Sequence, residues 1–207
     1  MQSQLRGWSN FPPVVGAVIV LCIGIFLIQS MNPRPIMETM ALWPLGERFA
    51  IWQPLTYSFL HGGGFHIFVN LLVLWMFGTR IENLWGSARF AAFYFFCVVG
   101  AGLVQLVVAT IAAAEGIVYP TVGASGGVFG VLLAFGLMFP NERIMLLIPP
   151  IPMKAKWFVV ILGAFSLLAG FTGTGGNIAH FAHLGGMLFG LILLLWWGWR
   201  PGRRWFG

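Results

Sequence analysis

Apolar residues in this chain come in six long runs, roughly 14–31, 66–79, 90–114, 122–139, 157–171 and 177–197. A helix needs about 20 residues to cross the hydrocarbon of a bilayer, and most of the runs come close to that length. The fifth is short on its own and is predicted to start earlier, in the Pro-rich stretch at 149–153. The pattern predicts an all-α, polytopic membrane protein with six transmembrane helices, folded as one domain over 1–207. Composition agrees: 59% of residues are hydrophobic and 8% charged, against about 25% charged in soluble domains, and the mean hydropathy is +0.90. The first run follows MQSQLRGWSN but is too long for a signal-peptide core and lacks a small-x-small cleavage site, so it reads as a retained anchor.

Charge sets the expected orientation. With six spans both termini share a side. One choice puts Arg6, Arg80, Arg89, Arg143, Lys154, Lys156, Arg200, Arg203 and Arg204 on that side and only Arg34 and Arg48 opposite. The positive-inside rule therefore predicts short cytoplasmic tails at both ends. This asymmetry accounts for the net charge of +6, and the bases form no stripe of the kind that binds nucleic acid. Cys22 and Cys97 both fall within apolar runs, so no disulfide framework is implied.

The few polar residues in the spans converge. Spans two, four and six all run inward, so their first residues share the outer half of the membrane. His66 and Asn70 open span two, Ser125 opens span four in TVGASGGVFG, and His183 opens span six. Each has an ordinary reading alone: a serine bonded to its own helix, a snorkelling histidine, an asparagine joining helices. Together at one depth they define a candidate site, since polar groups in spans are costly and commonly mark function.

The residue types suit acyl transfer. Serine hydrolysis needs a base in reach of the hydroxyl and preorganised donors for the oxyanion. Ser125 and His183 supply nucleophile and base. His66 and Asn70, four apart on one helical face, supply a donor pair, and a helix start at Ser125 adds its backbone N–H and the positive dipole end. The chain has no aspartate, and Glu38, Glu47, Glu82, Glu115 and Glu142 all lie away from the outer helix ends; the expected unit is a Ser-His dyad. Gly126-x-x-x-Gly130 and Gly186-x-x-x-Gly190 form small-residue stripes just inside Ser125 and His183. Packed together, they would let the two helices approach closely.

These motifs resemble those of the rhomboid family of intramembrane serine proteases. GASG at 123–126, beginning with Gly123, resembles the family's nucleophile motif; HGGGFHIFVN resembles its second-span motif; AHLGGMLFG resembles its sixth-span motif; and GTRIENLWGS at 78–87 resembles its turn after span two. The resemblance covers about residues 45–195. It implies a six-helix rhomboid-like bundle and an intramembrane serine endopeptidase, with Ser125 as nucleophile, His183 as base and His66 and Asn70 at the oxyanion. It also implies transmembrane protein substrates in the bilayer and no metal or other cofactor, while the topology suggests a prokaryotic cytoplasmic membrane, or an equivalent, with the site towards the outer face.

Other positions take supporting parts. His61 is expected to cap or brace the loop entering span two, and His180 to line the cavity mouth as a polar residue. Phe129 stands where several members carry a tyrosine against the base, which keeps ring packing and loses the phenolic bond. Trp52-Gln53 replaces a familiar Trp-Arg, so the polar network there is wired differently. The stretch at 32–60 is expected to be a structured element in the outer interface, with aromatics at the headgroup level. The glycine-rich HGGGF and TGTGGN read either as rims of a water-filled cavity or as tight turns. Rival readings are a transporter or channel, a metal or haem site on the four histidines, and a catalytically dead rhomboid-like binding protein.

Overall fold

The structure, a computed structural model, describes residues 12–46, 48–145, 150–173 and 179–200. The basic N-terminal segment, Glu47, most of TGTGGN and the end of the basic tail lie outside the described residues.

Helix α1 (Pro13–Met31) starts with proline at its first position, where a missing N–H costs nothing and φ is already helical. Asn32 separates it from the short α2 (Pro33–Met40). After α3 (Gln53–Thr56) and a 3₁₀ turn, Tyr57–Phe59, comes a rod formed by α4 (Gly64–Val73), a π-helical turn at Leu74–Gly78 and α5 (Thr79–Trp85). Then follow α6 (Ser87–Ala114), α7 (Ser125–Met138), α8 (Ala155–Thr172) and α9 (His180–Trp196). Four of these elements, α1, the 64–85 rod, α6 and α8, are long and apolar enough to cross a membrane; α7 and α9 are apolar but shorter. The chain is thus a mostly helical integral membrane protein.

Two boundaries differ from the sequence reading. The segment 78–87, expected as a turn, is helical to Trp85, and only Gly86, at φ +79°, turns the chain. This helix carries Glu82, 2% exposed, whose carboxylate accepts the backbone N–H of Val14 at 3.0 Å and of Val15 at 2.9 Å. It thereby caps the open N-terminus of α1, which has no side-chain cap of its own. Nor does α8 begin in the Pro-rich stretch. Strands β1 (Arg143–Met145) and β2 (Pro152–Lys154) pair antiparallel there, Arg143 opposite Lys154, a small addition to a fold that is otherwise helical among the described residues. A bidentate ion pair from Arg80 to Glu142, 3.1 and 3.3 Å, ties this end of α7 to α5.

The centre is a trio of helices held close by small residues. A Cβ on Gly186 of α9 would run into the Gly126 carbonyl of α7, and one on Gly126 would meet Ala101 of α6. One turn on, Gly130 and Gly190 both face Cys97, which is wholly buried. The two glycine stripes therefore do pack against each other, with α6 closing the third side. By contrast α8 is the least buried of the long apolar helices, with Phe165, Leu168 and Phe171 exposed along it.

The 32–60 segment is braced by its own polar groups. Leu42 and Thr121 exchange both backbone hydrogen bonds, at 3.0 and 2.8 Å. The buried Gln53 accepts from the Trp43 N–H at 3.2 Å and donates to the Arg48 carbonyl at 2.9 Å. Indole N–H groups of Trp43 and Trp52 donate to the Met37 and Thr39 carbonyls. The segment is thereby anchored to the strand-like stretch that leads into α7.

Candidate active site

Ser125 is the first residue of α7, and its helix start carries no side-chain cap. The first-turn N–H groups therefore have no capping side chain as acceptor. The chain reaches this point through Gly123, at φ +131°, a conformation that side-chain-bearing residues rarely adopt. Gly123 donates its N–H to the Tyr57 carbonyl at 3.0 Å, and the Tyr57 hydroxyl donates in turn to the Val98 carbonyl at 2.9 Å. Tyr57 thus pins the nucleophile motif to α6. A Cβ at Gly123 would lie 2.9 Å from His66 Cε1, 3.0 Å from His66 Nε2 and 3.6 Å from Ser125 Oγ. Bare backbone here lets the His66 imidazole and the Ser125 hydroxyl face one small volume.

The orientation of His66 follows from its other nitrogen. The Gly62 N–H donates to His66 Nδ1 at 3.2 Å; an accepting Nδ1 assigns the proton of the neutral ring to Nε2, the atom turned toward Gly123. Asn70, one turn further along α4, donates to the His66 carbonyl at 2.9 Å, leaving its second amide hydrogen for another partner.

His183 is 9% exposed and stacks on Phe129 with ring centroids 4.0 Å apart and planes 8° from parallel. The neighbouring Ala182 carbonyl would lie 3.6 Å from a Cβ on Gly126. Ser125 and His183 therefore share one layer at the Gly126–Gly186 crossing. Packing holds them in that layer, and among the described residues no hydrogen bond yet joins hydroxyl to imidazole. Catalytic hydrogen bonds are commonly long before substrate binds.

Two further histidines back the first two. His61 is 1% exposed, with its ring 5.2 Å from that of His66. Burial, and secondarily His66, pushes its pKa down to about 4, against the opposing effect of the Phe59 carbonyl. His180, expected at a cavity mouth, is 5% exposed; its ring is 6.0 Å from that of His183 and 5.9 Å from that of Phe165 on α8.

Sequence reasoning passed over Gln29. This buried amide accepts the His61 N–H at 3.1 Å and donates to the His61 carbonyl at 2.8 Å, clamping the loop that leads into α4 and His66. A lone primary amide near the end of the first apolar run was the available signal, since an unpaired one would be costly. Tyr57 gave no comparable signal, because its role depends on backbone partners distant in sequence. A surface depression of about 460 Å³ beside the first loop, lined by Glu38, Thr39, Arg48 and Gln53 among others, is separate from this cluster.

Fold and site together define a helical integral membrane protein with a serine and paired histidines held between its packed helices. The sequence profile of the Rhomboid domain matches residues 48–200, and the chain belongs to the rhomboid family. It is similar to rhomboid protein 1 of Saccharomyces cerevisiae mitochondria, 33% identical over 135 residues, 65% of this chain and 38% of that protein. It is also similar to the rhomboid protease GlpG of Yersinia pestis and of Yersinia pseudotuberculosis, 26% identical over 192 residues, 91% of this chain and 64% of each relative. The chain thus spans less than two thirds of the length of these relatives.

Proposed function

We propose that this chain is an intramembrane serine endopeptidase that cuts transmembrane protein substrates in or near their membrane-spanning segments. The observation that carries the reading is the meeting of the Ser125 hydroxyl and the His66 imidazole at Gly123, at the open N-terminus of α7, with His183 in the same layer.

All six apolar helices cross the membrane on this reading, with both termini cytoplasmic and the site toward the outer face. Short α7 fits the scheme: 14 residues span roughly 21 Å, against about 30 Å of hydrocarbon. If its far end reaches the cytoplasmic boundary, Ser125 starts below the outer surface. The extended chain leading down to it would be intolerable in lipid, but its backbone is paired with Leu42 and Tyr57.

In the reaction, neutral His183 takes the Ser125 proton as Oγ attacks the substrate carbonyl. The oxyanion is held by the His66 Nε2–H, the free Asn70 amide hydrogen and the Ser125 backbone N–H. His183 then passes its proton to the leaving amine, the C–N bond breaks, and an acyl-enzyme remains. Water, deprotonated by His183, attacks the ester carbonyl; the bond to Oγ then breaks, and the His183 imidazolium returns its proton to Ser125 as the substrate acid leaves. Phe129 holds the base by stacking where a carboxylate would hold it in a triad.

A fluorophosphonate probe applied to the detergent-purified protein tests this without knowledge of the substrate. Labelling of the wild type that disappears in both Ser125→Ala and His183→Ala is the expected result. A folded wild type that stays unlabelled beside a labelled rhomboid protease would overturn the reading. Solute flux in liposomes persisting in Ser125→Ala would instead favour a transporter.

A further inference from the structure

The proposed base lacks a carboxylate partner, so its orientation must come from packing. The terminal torsion of an imidazole is broad and roughly two-fold, and a single stacked ring restrains tilt much better than sliding or rotation within the plane. Phe129 supplies that one face. On the turn before His183 stands His180, its ring 87° to that of His183 at 6.0 Å. His180 is itself met by Phe165 of α8 at 5.9 Å and 80°, and α8 comes close enough here that a Cβ on Gly170 would lie 3.5 Å from the His180 Cβ.

We propose that His180 is a positioning residue which, backed by Phe165, holds the His183 ring in register on Phe129, so that the setting of the base depends on where α8 sits. The inference rests on the serine-protease reading. It gives α8 an influence on chemistry although α8 contributes no residue to the reacting set. The contacts run Phe129, His183, His180, Phe165, and so cross from α7 through α9 to the least buried long helix. Phe165 is 60% exposed, so its removal leaves the packed centre intact. Displacing α8 would free His180 first and the base second.

The test measures the maximal rate and the half-saturating concentration of fluorophosphonate labelling, with thermal unfolding run in parallel. His180→Ala and Phe165→Ala are each expected to lower the maximal rate by about two- to tenfold, the range of one aromatic pair, with half-saturation and unfolding temperature little changed. His180→Phe, which keeps a ring without its nitrogens, is expected to recover most of the rate. Wild-type labelling by His180→Ala would overturn the inference, as would His180→Phe remaining as slow as His180→Ala, or a loss of rate that only follows a loss of folded protein. An unlabelled wild type is a different result, which removes the protease reading and this inference with it.

Discussion

Phe129 and His183 lie face to face, 4.0 Å between centroids and 8° from parallel. The pair spans two helices: Phe129 stands one turn after Ser125 on α7, and His183 one turn before Gly186 on α9, at the crossing where no side chain separates the backbones. The stack is therefore a product of the glycine contact beneath it. Removing the ring in Phe129→Ala should slow fluorophosphonate labelling about two- to tenfold, whereas Phe129→Tyr should label at or above the wild-type rate. Equal rates for all three proteins would show that stacking does nothing for the base.

Gly123→Ala places a methyl group against His66 and at a positive φ. The backbone strain is about 1–2 kcal/mol, a modest loss of stability. Labelling should fall far more than the unfolding temperature, because the added atom occupies the volume shared by His66 and Ser125. A variant that labels normally would mean that this volume is not where the reacting carbonyl sits.

At the α7–α9 crossing the effect should reverse. Gly186→Ala drives a methyl into the Gly126 carbonyl, and overpacking of this kind costs about 1–3 kcal/mol. Thermal unfolding in detergent is the direct readout, and any loss of labelling should track it. Unchanged unfolding would mean that the helices separate at no cost.

Much of this arrangement is legible in the sequence, and what is not has a common cause. The apolar runs announce the helices because each must cover its own backbone polar groups in lipid. Ser125, His66, Asn70 and His183 stand out because polar residues are rare there. The glycine stripes point to a close crossing because only small side chains permit one. Hidden are the contacts in which a side chain meets backbone far away in sequence. Gln29 holds His61 across 32 residues, Tyr57 reaches Val98 across 41, and Glu82 reaches Val15 across 67. None has a periodicity to read. The strand pair β1–β2 was obscured for another reason: the apolar residues around it continue the composition of the helix that follows.

Glu82 gives a further prediction. Truncation in Glu82→Ala leaves a buried donor, the Val15 N–H, and a part-buried one, the Val14 N–H, without an acceptor. Losing hydrogen bonds to a charged group costs about 1.5–3 kcal/mol each, so unfolding should move down by several degrees. Glu82→Gln keeps one acceptor oxygen and should fall between. Labelling of the fraction that remains folded should be near normal, since α5 lies at the opposite end of the rod from His66.

The buried His61 predicts a pH response of stability. Its folded pKa of about 4 lies below the 6.5 of a free imidazole, so between those values the unfolded chain binds more protons than the folded one. The stability associated with a neutral His61 is present above about pH 6.5, is lost as pH falls toward 4 and levels off below it. The total is on the order of a few kcal/mol. Unfolding measured from pH 7.5 to 4 should show a shallower slope in His61→Gln than in the wild type; matching slopes would assign the acid sensitivity elsewhere.

The shortness of α7 has a consequence for the membrane as an insulator. Beneath Ser125 the helix runs GGVFGVLLAFGLM, with no polar side chain, and Val131, Leu132 and Phe135 are buried within the bundle. Water descending from one face to the serine would meet a dry plug of roughly 20 Å before the other face. On the function proposed above, hydrolysis would proceed inside the bilayer while the ion gradient across it stays intact.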